Sequence, residues 1–149
     1  MSQPAIPSDS IIFGFGPMLP LVAAGIGVWL LPPGWPVIAV QCAIIWGALI
    51  LAFIGGVRRG FGFGRGAAST WSEVIAAVAY FTIAGVALLM PRAAMALALL
   101  AAGLALAALL DRRAAITGDA PAFFARLRPT QLLLGCAGLS SCWAWLTSG

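Results

Sequence analysis

Few side chains in this sequence are equipped for chemistry, and their types narrow the choice before any fold is considered. There is no histidine, so the usual general base, the commonest zinc ligand and bis-histidine haem ligation are all missing. Cys42, Cys136 and Cys142 form no Cys-x-x-Cys pair and lack metal-site spacing; they read as small buried apolar residues. Ser140 and Ser141 lie near Cys136 and Cys142, but no base stands beside them to activate a nucleophile. Serines in that setting bond within their own helix. Three polar groups embedded in apolar sequence remain: Gln41, Glu73 and Tyr80. An acid in a membrane helix is a functional candidate, yet Thr70-Trp71-Ser72-Glu73 has the spacing of a capping box, the simpler role for Glu73. Gln41 is expected to hydrogen-bond a neighbouring helix, and the Tyr80 hydroxyl to be satisfied by a neighbouring helix or its own backbone. These residues predict a protein that is not an enzyme, with no catalytic set, no cofactor and no metal.

The elements that carry them are set by composition. Hydrophobic residues make up 62% of the chain and charged residues 8%, against roughly a quarter charged in an ordinary soluble domain. So apolar a chain cannot cover itself with polar groups, and lipid must be the solvent around most of it. At 149 residues it is one domain. An all-α fold follows: a bundle of five transmembrane helices, with spans at about residues 11–31, 37–57, 71–90, 93–110 and 130–146. Gly16-Pro17 predicts a kink or break in the first span, most simply an irregular entry into the membrane. LPPGWP is a tight turn, and Pro91-Arg92 joins the third and fourth spans as an antiparallel hairpin. The fourth span stops at Asp111-Arg112-Arg113, and Ala94, Ala98 and Ala102 offer it a close-packing face. Asp119, Phe123, Phe124 and Leu127 predict a short interfacial helix before the last span, with Arg126 and Arg128 snorkelling and Pro129 opening the span itself.

Charge then gives orientation. The net charge of +4 comes from eight arginines, no lysine and four acids, and the arginines cluster where apolar runs end. Membrane topology explains them better than nucleic acid does. With five spans, Arg58, Arg59, Arg65, Arg112, Arg113, Arg126 and Arg128 fall on the amino-terminal side and only Arg92 on the other. The positive-inside rule makes the arginine-rich side cytoplasmic, so the amino terminus faces the cytoplasm and the carboxyl terminus the periplasm of a bacterial inner membrane. Within the second span Ala48, Ala52, Gly56 and Gly60 recur every fourth residue. Small residues at that spacing let a neighbouring helix approach closely, within the chain or on a partner.

GFGPMLP in the first span, ILAFIGGVRRG closing the second, and the later Asp111, Pro121 and Leu127-Arg128 together give a further clue. The chain resembles the family catalogued as domain of unknown function 3429, the transmembrane protein 69-like five-helix membrane proteins. Members of that family commonly read Gly-Gly, an aliphatic residue, then His-Trp-Gly in the second span; this chain has Gly55-Gly56-Val57-Arg58-Arg59-Gly60. The resemblance implies an architecture and no activity. The expected function is a non-catalytic accessory or assembly subunit packed against a larger respiratory or photosynthetic membrane complex, its partners being lipids and other integral membrane subunits. The alternatives are a small transporter or channel, with Gly16-Pro17, Gln41, Glu73 and Tyr80 as its candidates, or a protein binding a hydrophobic ligand.

Overall fold

Proline decides how the chain enters the bundle. A computed structural model describes residues 8–64, 70–120 and 122–148. Helix α1 (Ser8–Phe15) gives way to a 3₁₀ turn over Gly16–Met18, and α2 (Leu19–Leu30) follows. The break falls where the glycine and proline predict it. Pro17 and Pro20 each lack an N–H, so the Phe13 and Gly16 carbonyls lose their ordinary helical donors. The Pro17 carbonyl is engaged from outside the segment, since Trp46 Nε1 donates to it at 2.7 Å.

Gly34, in the left-handed region at φ 94°, turns the chain into α3 (Trp35–Gly64), with Pro36 in its first turn. Helix α4 (Trp71–Leu89) opens on the expected capping box: Glu73 N donates to Thr70 Oγ1 at 3.4 Å, and Thr70 N to Glu73 Oε2 at 2.8 Å. After the short Met90–Arg92 link comes α5 (Ala93–Thr117), closed by Gly118 at φ 87°, then α6 (Phe124–Thr147). Each helix from α2 onwards packs on the next, and α6 returns to α2, so the five form a closed ring with α3 and α5 touching across it.

Among the described residues four apolar stretches are long enough to cross a membrane: Ile11–Leu30, Trp35–Phe61, Trp71–Leu89 and Ala93–Thr117. Helix α6 has the length, 24 residues, but its first turns carry Arg126, Arg128 and Gln131. Large apolar side chains cover the outside of the bundle; Leu89 is 85% exposed and Phe13 79%. A surface of that kind is stable only against lipid.

Three boundaries differ from those the sequence suggests. The second span's helix runs on past Arg58 and Arg59 to Gly64, and the fourth continues past Asp111 to Thr117. In both, the charged residue is buried within the bundle and no longer marks its edge. Among the described residues no separate interfacial helix precedes the last span: residues 124–128 are the first turn of α6, and Pro129 lies inside that helix. A proline so near a helix start removes only one bond, and Phe124 and Leu127 pack inward. The packing face of α5 is also displaced. Ala98 and Ala102 are exposed, while Ala96, Leu100, Gly103 and Ala107 are buried, and a Cβ on Gly103 would stand 2.6 Å from Leu51 Cδ2.

Candidate functional site

At the end of the bundle where α3 and α5 finish and α6 begins, three helices each bury one charge. Asp111 of α5 is 1% exposed, and Arg58 of α3 and Arg128 of α6 are each 7% exposed. Arg58 Nη1 donates to Asp111 Oδ1 at 3.1 Å and to the Leu110 carbonyl at 3.2 Å; Arg128 Nε stands 3.7 Å from Asp111 Oδ2. The two guanidiniums therefore share one carboxylate, one on each oxygen. Aromatic rings close over them. Arg128 sits 4.6 Å from the Phe124 ring centroid, and Phe124 meets Phe61 edge to face at 5.8 Å. Charges so far from water persist only when paired, so the triad fixes the relative height of α3, α5 and α6. Tyr80 of α4 lies beneath it, fully buried and within electrostatic reach of all three charges, and its hydroxyl has no hydrogen-bond partner.

Beside the triad a groove opens on the outside of the bundle, between the 3₁₀ entry, α3 and the start of α6. Its volume is about 530 Å³. The walls are apolar, from Phe13, Met18, Trp46, Leu49, Phe53 and Leu127 among others, and two polar side chains meet at one end, Arg128 and Gln131. Gln131 is 5% exposed, and its side chain lines the groove. Gly14 leaves it room: a Cβ there would lie 3.2 Å from Gln131 Oε1. The break at Gly16-Pro17 shapes the groove by bringing Pro17 against Trp46. An amide and a guanidinium in apolar surroundings favour hydrogen-bonding partners, so this end of the groove is suited to a polar group.

A family model described as a protein of unknown function (DUF3429) matches residues 6–146, a segment that holds the triad and the whole groove. The chain belongs to that family. No curated protein and no solved structure matches it. For this DUF3429 member, then, site assignments rest on geometry.

That geometry treats the residues singled out in the sequence unequally. Tyr80 joins the buried cluster, but its hydroxyl, like Arg58 Nε, is buried without a hydrogen-bond partner among the described residues. Glu73 is 1% exposed and acts in the cap of α4. Gln41 faces outward on α3, away from neighbouring helices, and makes no contact of the kind expected. Ala48 is buried and Ala52 half-buried, whereas Cβ atoms on Gly56 or Gly60 would meet nothing within 4 Å; the α3 glycine in tight contact with α4 is Gly55, 3.0 Å from the Ala77 carbonyl oxygen by the same test. Of the boundary arginines, Arg59, Arg112, Arg113 and Arg126 are exposed, and Arg58 and Arg128 are drawn inside. Arg65 lies outside the described residues. Cys42, Cys136 and Cys142 are free thiols; Cys42 is exposed and only Cys142 fully buried. Ser141 bonds across helices: its hydroxyl donates to the Gly25 carbonyl at 2.6 Å and accepts from Trp29 Nε1 at 3.0 Å.

Sequence reading misses Gln131, Trp46 and the convergence of Arg58, Asp111 and Arg128. One signal was present. Arg128 and Gln131 are three residues apart, one face of a helix, and Asp111 is a lone acid beside arginines at the end of an apolar run.

Proposed function

We propose that this is a non-catalytic integral membrane protein whose working part is the groove between the 3₁₀ entry, α3 and α6, and that the groove holds a hydrophobic or amphipathic ligand drawn from the bilayer. The observation that carries this reading is the pairing of an apolar trough of about 530 Å³ with two polar side chains, Arg128 and Gln131, that converge on one end of it. Sites for small ligands commonly combine apolar walls with a few convergent polar groups. Five crossings, with α6 as the fifth, put the amino terminus in the cytoplasm and the carboxyl terminus in the periplasm of a bacterial inner membrane. This orientation is supported by exposed Arg59, Arg112, Arg113 and Arg126 at the triad end against Arg92 alone at the other.

The reading is tested by filling the groove. Leu49 lines it and is 55% exposed, so Leu49→Trp occupies the trough without disturbing the core. Organic extracts of detergent-purified protein should contain about one amphiphile per chain, released or much reduced in Leu49→Trp. Equal amounts from both proteins would overturn the reading.

A second reading, an accessory or assembly subunit of a respiratory or photosynthetic complex, is favoured by the outer face of α3 and α4. There Ala52 and Gly56 floor a shallow trough with Val78 and Phe81, and among the described residues nothing lies within 4 Å of where a Gly56 Cβ would stand. Small residues left open in this way admit a helix of another subunit. Native sizing in mild detergent should give a stoichiometric complex that Gly56→Leu dissolves; a monomer of unchanged size in both would remove this reading.

A further inference from the structure

We infer that the ligand of the groove is an anionic phospholipid of the leaflet at the triad end, its acyl chain lying along α3, its phosphate held by Arg128 and an ester oxygen by Gln131. The inference rests on the ligand-binding reading of the groove and adds to it the ligand's charge, length and direction.

Length comes first. Along α3 the groove runs from Trp46 to Val57, which at about 1.5 Å per residue is roughly 16 Å. Half of a bilayer's hydrocarbon core, about 30 Å thick, is close to the same distance. The trough thus matches one acyl chain in one leaflet and falls far short of a path across the membrane. Direction follows from where the polar groups stand. Arg128 and Gln131 occupy the end shared with exposed Arg112, Arg113 and Arg126, the end at which lipid headgroups would meet the bundle.

Charge selects the headgroup. In the triad two guanidiniums face one carboxylate, and a phosphate anion on the groove side would give Arg128 a second acceptor. Arg128 is the member that lines the groove, so its charge is the one a ligand meets. A guanidinium sharing a carboxylate oxygen at 3.7 Å still has N–H groups available to phosphate. Gln131 lies three residues further along α6, about 4.5 Å deeper. There its amide can donate to an ester oxygen below the phosphate. A neutral quinone or a hydrocarbon would fill the walls and offer Arg128 no anion.

The experiment titrates delipidated protein in neutral detergent with 16:0/18:1 phosphatidylglycerol or phosphatidylcholine and reads bound lipid by native mass spectrometry. Phosphatidylglycerol should bind about tenfold more tightly than phosphatidylcholine. Gln131→Leu should weaken phosphatidylglycerol five- to tenfold, the worth of one hydrogen bond between neutral groups, with its thermal unfolding unchanged. Leu49→Trp should abolish both. Equal affinity for the two lipids, with both lost in Leu49→Trp, would overturn the anionic-headgroup assignment and leave the groove reading standing. Binding that survives Leu49→Trp would overturn both.

Discussion

The triad end of the bundle and the seam between α2 and α6 solve the same problem by opposite means. Where α3, α5 and α6 meet, three long charged side chains reach inward and hold the helices by ion pairs of 3.1 and 3.7 Å. About 15 Å further along α6, the contact depends on side chains that are missing. A Cβ on Gly25 would lie 2.7 Å from the Gly138 carbonyl oxygen, and one on Gly138 would collide with the Leu21 carbonyl. The backbones there touch, and Ser141 stitches them with its bond to the Gly25 carbonyl. The contrast follows from the solvent. Lipid gives apolar helices little reason to prefer one another over acyl chains, so specific association falls to close backbone packing and to polar bonds. The triad supplies the second and the glycine seam the first.

Breaking the triad should have the largest effect. Asp111→Ala leaves two guanidiniums buried without a counter-charge and should cost about 3–5 kcal/mol, measured as a shift in reversible unfolding in bicelles. Replacing all three members together, Arg58→Met, Asp111→Met and Arg128→Leu, should recover most of that loss, because an apolar trio of similar volume leaves no orphaned charge. If Asp111→Ala were neutral, the triad would not be the holding device described.

The glycine seam should respond next. Gly138→Leu must push α6 off α2, for about 1–3 kcal/mol of overpacking, and thermal unfolding in detergent should show it. Gly56→Leu, where a Cβ meets nothing within 4 Å, should leave the same measurement unchanged. If the two behaved alike, the distinction between buried and open glycines would fail.

Removing the stitch is the mildest test. Ser141→Ala loses one interhelical hydrogen bond, worth about 0.6 kcal/mol in a membrane helix pair. It also frees the Trp29 indole, which donates to that hydroxyl at 3.0 Å, so Trp29 emission should change even where the stability shift is small. A stability loss as large as that of Gly138→Leu would mean that hydrogen bonding, more than backbone approach, holds the seam.

Much of the architecture was legible without coordinates, and the physical reasons are local. The Thr70–Glu73 cap, the break at Gly16-Pro17 and the turn at Gly34 each follow from the conformations those residues permit over three or four positions. The site was not legible for a matching reason. Arg58, Asp111 and Arg128 are separated by 53 and 17 positions, and each reads alone as a charge parked at a water boundary. Gln41 and Gln131 look equivalent as isolated amides in apolar sequence, yet one faces outward and the other faces the groove. The four-residue spacing of Ala48, Ala52, Gly56 and Gly60 told which residues share a face, but which part of that face a neighbour covers depends on helix rotation, and Gly55 took the contact with α4.

By itself the sequence determined that the chain is helical and immersed in lipid, because 62% hydrophobic and 8% charged residues call for lipid as the solvent, and continuous apolar runs of about 20 residues cross it as helices. Only the tertiary structure decided that two of its arginines turn inward to share Asp111, and that Arg128 and Gln131 close one end of an apolar trough. Helix rotation and the ring closure of α6 on α2 set those juxtapositions, and both are determined by contacts between residues far apart in the chain.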